Sequence, residues 1–87
     1  MAQHGPISDL RPGTWLEVSQ LDDEIRHDMA VGDPLYFLHK SPMGLLGCYI
    51  PKLRKGFWIA PDNVQVVQDQ ASMHELEQEI PSGYRIH

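Results

Sequence analysis

The chain has 87 residues, a hydrophobic fraction of 41 % and a formal net charge of −5. This length allows one domain with a small core, and the acidic balance argues against a protein that neutralises nucleic-acid phosphates or binds an anionic membrane surface. The one cysteine, Cys48, excludes an internal disulfide and favours the reducing cytoplasm. Because the first residues do not form a secretory signal and no apolar run approaches the roughly 20 residues of a membrane span, we expect a cytoplasmic protein.

The first expected elements are a flexible lead-in and a short strand. Residues 1–11 are mostly polar and include a glycine and a proline, which is typical of a loose terminal segment. The turn-forming sequence Arg11-Pro12-Gly13 then opens residues 14–18, where successive side chains alternate between two faces. This alternation predicts the first β-strand.

The acidic segment 19–30 admits two interpretations. Leu21, Ile25 and Met29 are four residues apart, which is the spacing of one face of a helix. The charge density and the flanking turns favour a long loop with a few apolar anchors. We expect the loop and keep a short helix as the alternative.

Four more strands are expected in the middle of the chain. Their apolar runs are rich in aromatic and β-branched residues, and glycine, proline, asparagine and aspartate separate them. The basic sequence 51–56 predicts a hairpin loop, and Gly47 predicts a bulge or a close backbone approach. The expected strands are 35–39, 45–50, 57–60 and 64–68.

The last segment, 69–87, predicts one or two helical turns and a tail. Ser72 and Glu75 have the spacing of a capping box, with Ser72 as the N-cap. Leu76 and Ile80 then share one helical face. Because a helix this short is marginal alone, we expect it to pack on the sheet or on a partner.

In this arrangement, residues 12–68 resemble an SH3-like small β-barrel. The acidic segment stands where that fold has a long loop between its first two strands, and residues 30–35, Ala-Val-Gly-Asp-Pro-Leu, resemble its diverging turn. Gly56, followed by Pro61-Asp62-Asn63-Val64, is similar to its closing segment, in which a 3₁₀ turn leads into the last strand. The resemblance implies a mainly β fold, an SH3-like five-stranded antiparallel barrel with a short C-terminal helical turn.

The peptide-binding residues of SH3 domains are not matched by this chain. Residues 13–18, Gly-Thr-Trp-Leu-Glu-Val, replace the Ala-Leu-Tyr-Asp-Tyr-like run of the first strand. Val64 directly follows Asn63, where the family has a tyrosine. A groove for proline-rich peptides is therefore not implied, and the fold alone does not define the function.

A surplus of aromatic residues indicates a binding surface. Consecutive residues are apolar in the second and fourth strands, so strict alternation places some of them on the outer side of the sheet. An exposed aromatic cluster marks a contact surface, although terminal segments that cover the cluster would explain the same pattern. We therefore expect a non-enzymatic protein-binding module, an adaptor or regulator that binds another protein or forms a homodimer. The expected contact residues are Tyr36, Phe37, Phe57, Trp58, Lys52 and Arg54.

The alternative function is that of a nucleic-acid-binding accessory protein. The basic loop 51–56 stands beside Phe57 and Trp58, an arrangement in which cations contact phosphates while an aromatic ring stacks on a base. Three cations release few counterions in an acidic protein, which favours a solvated hairpin tip instead.

The sequence predicts no catalytic residues, no metal and no cofactor. The five histidines do not stand at metal-ligand spacing, and Cys48 has no second cysteine with which to share a metal. A strand cysteine among leucine, tyrosine and isoleucine is typical of a small buried apolar residue.

Overall fold

The computed structural model describes residues 10–23 and 27–84, which fold around one β-sheet. A 3₁₀ turn, Pro61–Asn63, precedes the last strand, and a second one, Gln70–Met73, runs into the helix α1, His74–Glu77. Most of the expected lead-in lies outside the described residues. The strands are β1 (Trp15–Val18), β2 (Pro34–Lys40), β3 (Leu46–Ile50), β4 (Lys55–Ile59) and β5 (Val64–Val66).

The five strands form a single antiparallel sheet in the order β4-β3-β2-β1-β5. This confirms the prediction of a mainly β chain with five antiparallel strands and a short helix near the C-terminal end. In the part of the chain that the structure describes, β4 and β5 do not pair with each other, so the sheet has two edges. Closure into a barrel stays a prediction.

The inner face of the sheet carries the main core. Alternate residues of the strands point to it, and most of their side chains are almost fully shielded from solvent. Met29 also packs there, whereas Leu21 is 40 % exposed. None of the described residues of this segment, 19–23 and 27–30, is in a helix, while Ile25 lies outside the described residues, so the loop stays a prediction. The buried core residues are Leu16, Val18, Met29, Leu35, Phe37, Leu46, Cys48, Ile50, Ile59 and Val64.

The outer face carries a second, aromatic cluster that the C-terminal segment covers. Trp15, Tyr36 and Tyr49 stand in one row across β1, β2 and β3. Ile80 is 3 % exposed and packs on this row. β2 has consecutive apolar residues because both faces of the sheet are covered, the inner one by the main core and the outer one by the C-terminal segment. The partly buried members of this layer are Leu38, Val67, Met73 and Leu76.

Gln70 fastens the C-terminal segment to β1. The Trp15 N–H donates to Gln70 Oε1 at 2.8 Å, and Gln70 Nε2 donates back to the Trp15 carbonyl at 2.9 Å. The same Nε2 donates to the Val67 carbonyl at 2.7 Å. This side-chain amide thus satisfies backbone groups of β1 as a further strand would.

The expected capping box at Ser72 is wrong, because the turn begins earlier. Asp69 is the N-cap, and its carboxylate accepts from the Ser72 N–H at 3.2 Å. The Ser72 hydroxyl donates to the Asp69 carbonyl at 2.7 Å. Ser72 therefore lies inside a 3₁₀ turn that Asp69 starts, and it does not begin the α-helix.

Candidate functional site

The four aromatic residues expected to contact a partner occupy different places. Tyr36 and Phe37 are 2 % and 3 % exposed, so their side chains offer no surface in this fold. Phe57 is half-buried and stands opposite Cys48, on the side of the main core. Trp58 is 47 % exposed and points to the outer face, because neighbouring strand residues alternate. Phe57 and Trp58 thus belong to opposite faces of β4.

The Trp58 ring is held in a fixed place although half of it is exposed. Gly47 is its cross-strand neighbour, and a Cβ atom at Gly47 would stand 3.0 Å from Trp58 Cζ3. The His39 ring meets the indole edge to face, with 5.1 Å between centroids and 85° between planes. A register shift between Phe37 and His39 brings His39 opposite Gly47. The glycine expected to allow a close approach therefore makes room for the indole.

Tyr84 continues this aromatic surface along β4. Gly56 is two residues before Trp58 and so faces the same side. The Tyr84 ring covers the place where Gly56 would carry a side chain, with Cε1 3.6 Å from an ideal Cβ. Tyr84 also packs on Tyr49, with ring centroids 4.7 Å apart, and is itself 37 % exposed. We call Trp58, His39 and Tyr84 the aromatic strip.

Neither His39 nor Tyr84 was among the contact residues predicted from the sequence. Tyr84 reaches the sheet only through the fold of the tail, which local periodicity does not encode. The usable signal was the absence of side chains at Gly47 and Gly56, since a glycine inside a strand indicates that another group approaches closely.

The basic residues of the β3–β4 hairpin have different surroundings. Lys52 Nζ forms an ion pair with Asp33 Oδ2 at 2.9 Å, and this carboxylate also accepts from the Ala30 N–H at 2.8 Å. Lys55 Nζ lies 5.6 Å from the centroid of the Phe57 ring. Lys52 therefore links the hairpin to the turn before β2, and its charge is partly neutralised.

Arg54 lies at the hairpin tip and lines a shallow groove. Its φ of 56° is in the left-handed region, and its N–H donates to the Ile50 carbonyl at 2.7 Å. The groove has a volume of about 490 Å³ and brings this guanidinium into the same space as a carboxylate of the C-terminal segment. Arg54 is thus on the outer-face side of the hairpin, where it shares the groove with Tyr49. The lining residues are Tyr49, Pro51, Arg54, Glu79 and Pro81.

Cys48 is fully buried in the main core, where it packs as a small apolar residue. Burial raises the pKa of its thiol from 9.0 to about 12, so the reactive thiolate is scarce in the folded protein. Among the described residues, no three His, Cys, Asp or Glu side chains are grouped as metal ligands. The described residues also contain no helix with the length and apolar character that a membrane crossing requires.

The raised pKa of Cys48 predicts a loss of stability in alkali. The unfolded thiol ionises above its pKa of 9.0, whereas the folded thiol stays protonated up to about 12. The stabilising contribution is therefore complete below pH 9 and decreases by about 1.4 kcal/mol per pH unit above it. Urea unfolding of the wild type should show this decrease between about pH 9 and pH 10 relative to Cys48→Ala. Parallel pH profiles for the two proteins would contradict the prediction.

Replacing Gly47 with alanine is expected to displace the Trp58 indole. The new methyl group would stand 3.0 Å from Trp58 Cζ3 and 3.2 Å from the His39 carbonyl oxygen. The ring can rotate away, but the backbone oxygen cannot, so we expect a loss of about 1–3 kcal/mol in unfolding free energy. Red-shifted, more quenchable tryptophan emission would report the displaced ring.

The matched control for this change is Gly83→Ala, because no described residue other than its chain neighbours lies within 4 Å of the new methyl group there. This variant should keep both the stability and the emission of the wild type. If Gly47→Ala behaves in the same way as the control, the tight Trp58–Gly47 contact does not exist in solution.

Scans of the chain against models of protein families, against curated proteins and against solved structures found no significant match.

Proposed function

We propose that this protein is a non-enzymatic protein-binding module, an adaptor or regulator, and that the aromatic strip is its contact surface. The observation that supports this most is Trp58, a large aromatic side chain that is 47 % exposed and yet fixed by Gly47 and His39. A rigid exposed tryptophan loses little conformational entropy on binding and is the residue type most often found at the energetic centre of interfaces.

The proposed surface differs from the one expected from the sequence. Tyr36 and Phe37 pack beneath other groups, so the binding energy has to come from Trp58 and Tyr84 instead. Arg54 shares a groove with Tyr49, on which Tyr84 packs, and would supply a cation at the rim of the strip, which is the usual place of charge in an interface.

An SH3-like barrel is part of this proposal. Three features support it: the strand order, the 3₁₀ turn Pro61–Asn63 between the last two strands, and the bulge in β2. A closed barrel would require β4 and β5 to approach each other. β5 has only three residues and pairs with β1, so this closure is part of the proposal. We also propose a cytoplasmic location, because the single cysteine, Cys48, is a free thiol.

The nucleic-acid alternative has less support. Lys52 is paired with Asp33, and Lys55 lies over Phe57, on the face opposite to Trp58. Lys52 and Lys55 therefore do not line one continuous path with the exposed indole for a strand of nucleic acid.

Selection from a library of displayed random peptides tests the proposed function. Immobilised wild-type protein should enrich a set of related peptides, and Trp58→Ala should weaken their binding by about tenfold or more, as loss of an interface hot spot does. Val31→Ala is the control, because Val31 is 62 % exposed and lies outside the aromatic strip.

Binding can be compared only between folded proteins, so circular dichroism spectra of the wild type and of both variants are compared first. Retained peptide binding by Trp58→Ala, or equal losses for Trp58→Ala and Val31→Ala, would remove the aromatic strip from the proposed function.

A further inference from the structure

β4 is an edge strand, and no strand of the described residues pairs with its outer edge. The Ile50 carbonyl accepts from Arg54 N at 2.7 Å, so the backbone groups of Ile50 face β4. Hydrogen-bonded and non-hydrogen-bonded pairs alternate along an antiparallel ladder. Ile50–Lys55 and Cys48–Phe57 are therefore hydrogen-bonded pairs. It follows that Gly56 and Trp58 direct their N–H and C=O groups away from β3, to the open edge.

This edge lacks most of the features that prevent an edge strand from pairing with another chain. β4 has five residues in unbroken register with β3, contains no proline and carries one charged residue, Lys55, at its first position. Edge strands are commonly protected by proline, bulges, inward-pointing charges or extreme shortness. The opposite edge is protected in one of these ways, because β5 has only three residues.

The side chains of β4 are self-complementary around Phe57. A two-fold axis through Phe57 would place Gly56 of each copy opposite Trp58 of the other. The outward backbone groups of Gly56 and Trp58 would then meet as hydrogen-bonded pairs. The second copy's indole would come beside the bare Gly56, next to the Tyr84 ring that covers it. The two half-buried Phe57 rings would meet on the inner side.

Charges also favour this register. Lys55 of one copy would stand opposite Ile59 of the other, so no like charges face each other across the new ladder. The basic tip of each hairpin, with Arg54, would point toward the end of the second copy's β4. The exposed Asp62 lies three residues after that end.

We propose that β4 pairs antiparallel with β4 of a second copy of this chain, about a two-fold axis at Phe57, and joins two sheets into one. This inference rests on the proposed function, because it names a second copy as the partner of the Trp58 surface. Trp58 would serve the contact twice, with its backbone in the ladder and its indole against Tyr84.

Light scattering over a dilution series tests the pairing. The wild type should pass from the mass of one chain to that of two chains as the concentration rises. Gly56→Pro removes an N–H from the open edge without touching the bonds to β3, and both copies carry the change. We expect its self-association to be about tenfold or more weaker.

The matched control places the same proline at the opposite edge. Val67 N donates to the Trp15 carbonyl at 3.1 Å, so the neighbouring Val66 directs its N–H away from β1. Val66→Pro should therefore associate as the wild type does. Equal weakening by both prolines would contradict pairing through β4.

Cross-linking tests the register even if Gly56→Pro fails to fold. Phe57→Cys would place two thiols opposite each other at a non-hydrogen-bonded pair, within reach of a disulfide. Trp58→Cys would not, because its opposite residue is Gly56. Mild oxidation should give a covalent dimer of the first variant only, and the buried Cys48 adds no background.

Two results would overturn the inference: a wild type with the mass of one chain at every concentration, or equal cross-linking of both cysteine variants. If Trp58-dependent peptide binding persisted in such a monomer, the proposed function would stand with another partner. If peptide binding were also absent, both proposals would fail.

Discussion

Replacing Ile80 with alanine is expected to lower the free energy of unfolding by about 2–5 kcal/mol. Ile80 is 3 % exposed and packs on the aromatic cluster of the outer face, which consists of Trp15, Tyr36 and Tyr49. The loss combines the transfer of the removed methyl and methylene groups with the cavity left behind. In so small a domain, this is a large part of the total stability.

The measurement is urea unfolding followed by near-ultraviolet circular dichroism, which reports the packing of Trp15 and the buried tyrosines. Glu79→Ala is the matched control, because Glu79 is the adjacent residue and its side chain is exposed. This control should unfold within about 0.5 kcal/mol of the wild type. An Ile80→Ala variant as stable as Glu79→Ala would mean that the C-terminal segment does not cover the sheet.

The strands were predictable because each carries its own signal. Runs of β-branched and aromatic residues lie between turn formers, and these local preferences agree with the final pairing. The 3₁₀ turn Pro61–Asn63 was predictable for the same reason, since a proline fixes its first residue. Strand ends differ from the expected ones by one or two residues, as they do whenever pairing with a neighbour decides the last residue.

The exposure of the aromatic residues was not predictable from the strands alone. Alternation assigns Tyr36 to the outer face and Phe37 to the inner face, but it does not say whether another layer covers either one. Phe37 is buried in the main core on the inner face. Tyr36 is buried because the tail returns over the outer face of β1, β2 and β3, where Ile80 anchors it. This return depends on side-chain contacts between residues more than 40 positions apart, such as Gln70 with Trp15.

The candidate site was only partly predictable for a related reason. Trp58 was expected at the surface, and its exposure follows from its place on an edge strand. His39 and Tyr84 come beside it through a bulge and through the tail, and neither device has a clear local signature. The wrong prediction of a capping box at Ser72 has a similar cause. The Asp69 carboxylate, three residues earlier, accepts from the Ser72 N–H, which the Glu75 side chain would bind in a capping box.

Replacing Asn63 with alanine is expected to cost about 2–3 kcal/mol of unfolding free energy. Asn63 is the one buried polar residue of the described chain, 5 % exposed, at the corner between β4 and β5. Its Nδ2 donates to Asp22 Oδ2 at 2.7 Å, and its Oδ1 accepts from Gln20 Nε2 at 3.2 Å. These bonds tie the corner to the loop after β1, and one of them involves a carboxylate.

The Asn63→Asp variant separates the effect of the lost hydrogen bond on unfolding free energy from the effect of the lost side-chain volume. This change keeps the size of the side chain but replaces the Nδ2 donor with an oxygen that faces the Asp22 carboxylate. At neutral pH the like charges repel, so Asn63→Asp should be at least as unstable as Asn63→Ala. In acid, protonation of one of the two carboxyl groups supplies a donor, and the stability of Asn63→Asp relative to the wild type should recover in part. Asp62→Ala, an exposed change in the same turn, should cost little at either pH. If Asn63→Asp matched the wild type at neutral pH, the hydrogen bond to Asp22 would not hold the corner closed, and the anchoring of β5 would have to come from Val64 and the main core instead.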